Sequence, residues 1–325
     1  MINNIQVLRG YAALAVVLSH VGFIGIGGFG VDIFFAISGF IMALITQKDF
    51  DAFVIKRAVR IVPLYWIMTF LVCVVAFIKP SVLASTTVNA SFLFKSLFFI
   101  PFDKNGYIEP ILAVGWTLNY EIFFYFIFFL SMKINHNMRV YVASFILTLL
   151  PVVGFLFDDA DVIFNFYTSS ILIEFIYGML IFEAFKRGCR FPGSQAFFIF
   201  VIAALIFTMS ITDAKIAIEY RFLTWGLPSA LIVLLSVCAL KRLPFTHIFT
   251  FIGKISFSLY LSHLFVIRGF DRVFYSLDEL TLMTMLLTFV LVSLAVFLSY
   301  ISWFLIENLL HNYLNRKFIC KNIGK

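Results

Sequence analysis

The feature that most constrains this chain is a series of long apolar runs separated by short polar segments. A membrane-spanning helix needs about 20 predominantly apolar residues. By that rule the sequence predicts about ten spans, at residues 7–24, 29–46, 61–78, 114–132, 141–157, 162–185, 196–211, 220–240, 249–266 and 282–306. The chain is 62% hydrophobic and 13% charged, whereas soluble domains carry about 25% charged residues. We therefore predict an all-α, polytopic integral membrane protein and exclude an ordinary soluble enzyme.

The basic residues predict how the spans are oriented. With the N-terminus inside, sixteen Lys and Arg residues fall on the cytoplasmic side and seven on the other, while Lys254 lies within a span. An excess of Lys and Arg marks cytoplasmic loops. Both termini are therefore predicted to be cytoplasmic. Because the net charge of +7 comes from short clusters between apolar runs, it indicates lipid-bilayer topology and no nucleic-acid partner.

Four ionisable residues are predicted to share one layer of the membrane. Arg9 and His20 are eleven helical steps apart, about 16 Å along the axis, so Arg9 is expected at the inner surface and His20 in the outer half. Asp32, Glu121 and His263 are placed at a similar depth in their own spans. Ionisable groups inside a membrane are costly and commonly functional. Four of them in one layer indicate a polar cavity.

The chemistry predicted for this layer is proton transfer. A histidine whose ring contacts a carboxylate is a general base with a defined tautomer. His20 can form such a pair with Asp32 or with Glu121, and the residues alone do not choose between them. The alternative is a hydrogen bond between helices that supports no chemistry.

A second feature is the basic cluster of Lys56, Arg57 and Arg60 at the inner end of the third predicted span. Their spacing places all three on one side of a helix, where arginine binds polyphosphates in a bidentate manner. The alternative is that the cluster only orients the span or contacts anionic lipid. The aromatic residues Trp116 and Tyr120 flank Glu121, where they either anchor the span at the interface or stack on a sugar ring.

The chain resembles the membrane acyltransferase-3 family, the integral-membrane O-acyltransferases of bacterial surface polysaccharides. The resemblance covers nearly the whole chain and is carried, in the family's order, by Leu8-Arg9-Gly10 with His20, Gly30-Val31-Asp32 through Ser38-Gly39-Phe40, Arg57-x-x-Arg60-Ile-x-Pro63, Trp116-Thr117-Leu118-x-x-Glu121, and Ser256-x-Ser258-Leu-Tyr260-Leu-x-His263. Together these segments are highly specific, although no single one is.

The resemblance implies a function. It implies about ten helices in the bacterial inner membrane, a cytoplasmic acyl-CoA donor, with acetyl-CoA expected, and an acceptor hydroxyl on an extracytoplasmic glycan such as O-antigen, exopolysaccharide or a lipid-linked sugar. His20 resembles the catalytic histidine, and Arg9, Arg57 and Arg60 resemble the residues tied to donor binding. Whether transfer is direct or passes through an acyl-histidine is left open.

The remaining expectations concern the substrate, the domains and other protein classes. Substrate contacts are expected from Trp116, Tyr120, Ser38 and His263, and no metal is expected. We expect one acyltransferase domain over 1–325 without an appended soluble domain, and leave open whether a separate periplasmic partner completes the transfer. The main alternative is a transporter or flippase with a His–Asp proton relay, for which the sequence shows no inverted repeat. A non-enzymatic assembly protein of a glycan pathway is the third class.

Overall fold

The computed structural model describes residues 2–22, 24, 27–47, 52–80, 83, 88–104, 107–157, 161–211, 220–273, 279–310 and 313. The α-helices in this part of the chain are α1 Asn3–Ser19, α2 Phe29–Ile45, α3 Phe53–Ile78, α4 Ala90–Leu97, α5 Trp116–Ile134, α6 Arg139–Leu156, α7 Val162–Tyr167, α8 Ile173–Lys186, α9 Gln195–Ile211, α10 Leu227–Leu234, α11 Thr246–Lys254, α12 Ser256–Val273 and α13 Leu282–Ser302. The prediction of an all-α protein is confirmed.

Several helices continue beyond their α-helical segment. Short 3-10 turns, Ala113–Gly115 and Ser170–Leu172, lead into α5 and α8. The π-helical segments Phe222–Gly226 and Leu235–Ala239 flank α10, and Trp303–Leu310 extends α13. Between α4 and α5 lies a small antiparallel ladder, in which β1 Asp103–Lys104 pairs with β2 Tyr107–Ile108.

Six helical segments in the described part are long and apolar enough to cross a membrane: Phe53–Ile78, Ala113–Ile134, Arg139–Leu156, Val162–Lys186, Phe222–Ala239 and Leu282–Leu310. Each matches a predicted span. The helices α1, α2 and α9 have 17 residues each, which is shorter than the usual span of about 20 residues. The protein is thus a multi-pass membrane protein, whereas ten spans and cytoplasmic termini stay predictions.

The predicted ninth span, 249–266, is not one continuous helix. The structure divides it into α11 and α12, which meet at a bend of 78° around Ile255. The bend exposes the first amides of α12, which a continuous helix would have paired internally. Six basic residues used in the orientation argument, Lys48, Lys215, Arg316, Lys317, Lys321 and Lys325, lie outside the described residues.

Small residues allow the central helices to approach closely. A Cβ atom at Gly178 of α8 would lie 1.8 Å from the carbonyl oxygen of Ala36 on α2. A Cβ atom at Gly253 of α11 would lie 1.9 Å from the carbonyl oxygen of Gln6 on α1. Small residues at such contacts let backbones pack together, which drives helix association in membranes. These contacts hold α1 and α2, which carry the predicted reaction centre, at the middle of the bundle.

Large apolar side chains cover the outside of the bundle. Phe77 is 91% exposed, Phe155 is 86% exposed and Phe289 is 74% exposed. Patches of this kind are rare on soluble monomers. In a multi-pass protein they are the surface that faces lipid.

Candidate active site

Three cavities lie in series through the bundle. The first, called here the basic cavity, has a volume of about 260 Å³ and is lined by Arg9, Arg60, Lys254 and Glu307. The second, the central pocket, has a volume of about 80 Å³ and shares Arg9 and Arg60 with the basic cavity. The third, the histidine cavity, has a volume of about 390 Å³ and contains His20.

The position of His20 follows from the end of α1. His20 directly follows the last residue of that helix and lines the histidine cavity. Its Nδ1 atom lies 2.8 Å from the carbonyl oxygen of Val16 and 3.3 Å from Nε2 of His263. His263 Nδ1 lies 3.1 Å from the carbonyl oxygen of Leu259. Since a carbonyl only accepts, both histidines carry their proton on Nδ1 in this arrangement.

The predicted pairing of His20 with a carboxylate is wrong. Asp32 is fully buried and accepts two hydrogen bonds from Arg221, at 2.9 Å from Nε and 2.7 Å from Nη2. Such a bidentate pair occupies both carboxylate oxygens. Asp32 therefore acts on the cavity through Arg221, whose guanidinium lies over Trp225 at 4.5 Å and over Trp116 at 5.9 Å from the ring centroid.

Glu121 also forms hydrogen bonds with partners other than the predicted His20. It lines the central pocket, where it accepts a hydrogen bond from Ser38 Oγ at 3.2 Å and another from the Tyr125 hydroxyl. Tyr125 lies one helical turn further along α5. Glu121 therefore belongs to the pocket between the arginines and His20.

A second buried carboxyl group, Glu174 on α8, lies beside the Asp32–Arg221 pair. Glu174 is fully buried and within electrostatic range of both residues. Neither of its carboxyl oxygens has a hydrogen-bond partner among the described residues. Gly226 approaches it closely, since a Cβ there would lie 2.9 Å from Glu174 Cγ. The sequence suggested no partner for Glu174, and the structure places it beside Arg221.

Of the predicted basic cluster, Arg60 lines cavities, whereas Arg57 and Lys56 line none of the three. Arg60 lines both the basic cavity and the central pocket together with Arg9. Arg57 lies within electrostatic range of Glu121, and its Nε and Nη1 atoms are buried without a hydrogen-bond partner in the described part of the chain. No such buried, unpaired side-chain atom is found at Lys56 among the described residues, and its place in the donor site stays a prediction.

The residues predicted to contact substrate lie in different parts of the site. Trp116 lines the histidine cavity and Ser38 lines the central pocket. Tyr120 is buried in the core, with its ring stacked on Phe166 at 3.8 Å between centroids, and it lines none of the cavities. His263 is fully buried behind His20. Direct substrate contact by Tyr120 and His263 thus stays a prediction, which their burial does not favour.

Three charged residues of the site were not predicted from the sequence. Arg221 is 189 residues from Asp32 in the sequence, and it counted only as a loop charge. Lys254, which the sequence places within a span, lines the basic cavity. Glu307 accepts hydrogen bonds from the Ser258 amide at 3.0 Å and from Ser258 Oγ at 2.5 Å. It thereby pairs an amide that the bend before α12 leaves free.

These features define a multi-pass, all-helical membrane protein that encloses polar cavities between arginine side chains and a half-buried histidine. The model of the acyltransferase-3 family, described as an acyltransferase domain, matches residues 2–304. The chain therefore belongs to the acyltransferase-3 family and is an acyltransferase.

The chain is also similar to a curated protein. The exopolysaccharide production protein ExoZ of Rhizobium meliloti (strain 1021) is 32% identical over 254 residues, which cover 74% of this chain and 77% of that protein. No solved structure matches the chain.

Proposed function

We propose that the protein transfers an acyl group, with acetyl as the expected group, from cytoplasmic acyl-CoA to a hydroxyl of an extracytoplasmic glycan. The observation that carries this proposal is the series of cavities from Arg9 and Arg60 to His20. Its arginine end suits a phosphorylated donor, and its histidine end suits general-base chemistry. The family supplies the acyl transfer, and the name of the relative ExoZ supports a polysaccharide acceptor.

His20 is the proposed general base. Because its Nδ1 proton is directed at Val16 and His263, its Nε2 atom keeps a free lone pair. Nε2 takes the proton from the acceptor hydroxyl while the hydroxyl oxygen attacks the thioester carbonyl. The C–S bond then breaks, and the CoA thiolate receives the proton from His20. His263 is a positioning residue in this scheme, since it contacts His20 and holds its tautomer.

Donor binding is assigned to the arginines at the other end. Arg57 Nε and Nη1 are buried and unpaired among the described residues. Buried guanidinium groups are normally paired, and we assign the free Nε and Nη1 donors to an anionic ligand group, although Arg57 lines none of the three cavities. Arg60 and Lys254 line the adjoining basic cavity and add positive charge for the remaining phosphates. The pantetheine arm is proposed to extend through the central pocket toward His20.

Acceptor binding is assigned to the histidine cavity. Trp116, Trp225 and Arg221 line it together with His20. Indole rings stack on the apolar faces of sugars, and the guanidinium can stabilise negative charge on the thioester oxygen during attack. Asp32 holds the guanidinium in place through its two hydrogen bonds.

The test compares two histidine variants in cells and after purification. His20→Ala should abolish acylation of the glycan while the protein still inserts at normal levels. His247→Ala, at an exposed histidine that lines none of the cavities, should retain normal acylation. Glycan mass and NMR spectra of a deletion strain complemented with each variant provide the measurement. Near-normal acylation by His20→Ala would contradict the assignment of the base.

A second measurement separates direct transfer from an acyl-histidine. Purified protein is incubated with radiolabelled acetyl-CoA without acceptor and is rapidly quenched. Label retained on wild-type protein but not on His20→Ala would support the covalent route. Absence of retained label, with transfer intact when acceptor is present, would support direct attack.

A further inference from the structure

Tyr260 on α12 stands at the boundary between two cavities. Tyr260 and Val31 are the described residues that line both the central pocket and the histidine cavity. The Tyr260 side chain is nearly buried, and its ring meets Phe34 edge to face at 6.1 Å between centroids. Any group that passes from the arginine end to His20 along this series must therefore pass the Tyr260 ring.

Hydrogen bonds hold the ring in this position. The Tyr260 hydroxyl donates to the carbonyl oxygen of Val114 at 2.9 Å and shares a hydrogen bond with Thr117 Oγ1 at 2.8 Å. Both partners lie at the start of α5, on the opposite wall from α12. The contact therefore closes the passage between two helices, and a rotation of one side chain would open it.

The physical need for such a barrier follows from thioester chemistry. Water that reaches a thioester can add to its carbonyl carbon, after which the C–S bond breaks to give a free carboxylic acid and the CoA thiol. The histidine cavity is large enough for many water molecules. A donor site open to this cavity would lose acyl groups to water, so exclusion of water sets the ratio of transfer to hydrolysis.

We propose that Tyr260 is a gate between the central pocket and the histidine cavity, and that its hydroxyl contacts with Val114 and Thr117 keep water from the donor until an acceptor is in place. The proposal rests on the proposed function for its role in acyl transfer. Whether Tyr260 controls access of water to the central pocket can be tested without any acyl donor.

The access experiment uses a cysteine in the central pocket as the reporter. Ser38→Cys is introduced in a background in which Cys73, Cys189, Cys238 and Cys320 are replaced by serine. A small membrane-impermeant thiol reagent is then added separately to each face of oriented vesicles. We expect slow labelling from the face that opens to the histidine cavity. Loss of two ordinary hydrogen bonds is worth about tenfold in an open–closed equilibrium, so Tyr260→Phe should speed labelling by about tenfold, and Tyr260→Ala by more.

A matched control uses a tyrosine whose hydroxyl is also bonded to a carbonyl. Tyr11 donates to the carbonyl oxygen of Pro244 at 2.9 Å and lines none of the three cavities. Tyr11→Phe should leave the labelling rate of Ser38→Cys unchanged. Equal labelling rates in the Tyr260 and Tyr11 variants would overturn the gate.

The acyl-transfer experiment then connects the gate to function. In purified protein with acetyl-CoA, Tyr260→Ala should raise the ratio of hydrolysis to glycan acylation by about tenfold or more over wild type. Hydrolysis is measured as the CoA thiol released in excess of the label transferred to the glycan. An unchanged ratio alongside faster labelling would overturn the water-exclusion role. If wild-type protein neither hydrolyses nor transfers from acetyl-CoA, the proposed function fails, while the labelling rates still decide the gate.

Discussion

The cluster of Asp32, Arg221 and Glu174 should respond to substitution differently from a simple ion pair. Asp32 is 0% exposed and the Arg221 side chain 17% exposed, and two hydrogen bonds of 2.9 and 2.7 Å join them. Glu174 lies beside this pair with both oxygens unpartnered in the described residues. In Asp32→Asn, Glu174 becomes the carboxyl group nearest to Arg221. We expect it to take over part of the role of the lost carboxylate.

The magnitudes follow from the burial of the pair. Breaking a buried ion pair by removing one partner costs about 3–5 kcal/mol in free energy of unfolding. Because Glu174 compensates, Asp32→Asn alone should cost less than about 3 kcal/mol. Glu174→Gln alone should cost under about 1 kcal/mol, because the amide has the same size as the carboxyl group and Asp32 still pairs with Arg221. The double variant should incur the full cost, so the two changes should couple by about 1–3 kcal/mol.

The assay is a double-mutant cycle on protein in mixed micelles. Unfolding by increasing SDS fraction is followed by far-UV circular dichroism for wild type, both single variants and the double variant. Glu183→Gln is the matched control, because Glu183 lies on α8 nine residues from Glu174 and about 13 Å away along the axis. It should be additive with Asp32→Asn within about 0.5 kcal/mol. Additivity of the Asp32 and Glu174 changes would refute the shared role around Arg221.

Three further predictions test the donor site, the helix packing and the topology. Arg57→Ala should weaken acyl-CoA binding by about one to two decades, which corresponds to the loss of one charge-assisted hydrogen bond. Lys56→Ala should leave the affinity for acyl-CoA unchanged in the same titration. Equal effects of the two substitutions would exclude Arg57 from the donor site. Gly178→Leu should destabilise the protein by more than the usual overpacking cost of about 1–3 kcal/mol, because its Cβ would meet the Ala36 backbone at 1.8 Å; unchanged SDS resistance would contradict the close α2–α8 contact. A reporter fused after Lys325 should be active only in its cytoplasmic form, and periplasmic activity would mean an odd number of spans.

The helical class and the approximate positions of six spans could be predicted from the sequence because hydrophobic length is a local property. A run such as 282–306 must form a helix to satisfy its backbone in lipid, whatever surrounds it. His20 was predicted on the same local basis, as an ionisable residue in an apolar run. Its position at the end of α1 and on the wall of a cavity agrees with that prediction.

The partners of these residues depended on tertiary structure. Asp32 and Arg221 are far apart in the sequence, and nothing local indicates that they meet. The bend between α11 and α12 placed His263 behind His20 and Tyr260 between two cavities, although the apolar pattern of 249–266 runs through the bend without interruption.

The apolar segments and their helical conformation could thus be predicted locally, because both follow from the transfer of local groups out of water. Which charges pair depends on the packing of the helices, since the energy of a buried ion pair changes over a few ångströms of separation between groups on different helices. For that reason His20, which was predicted to pair with a carboxylate, contacts His263, while Asp32 pairs with Arg221.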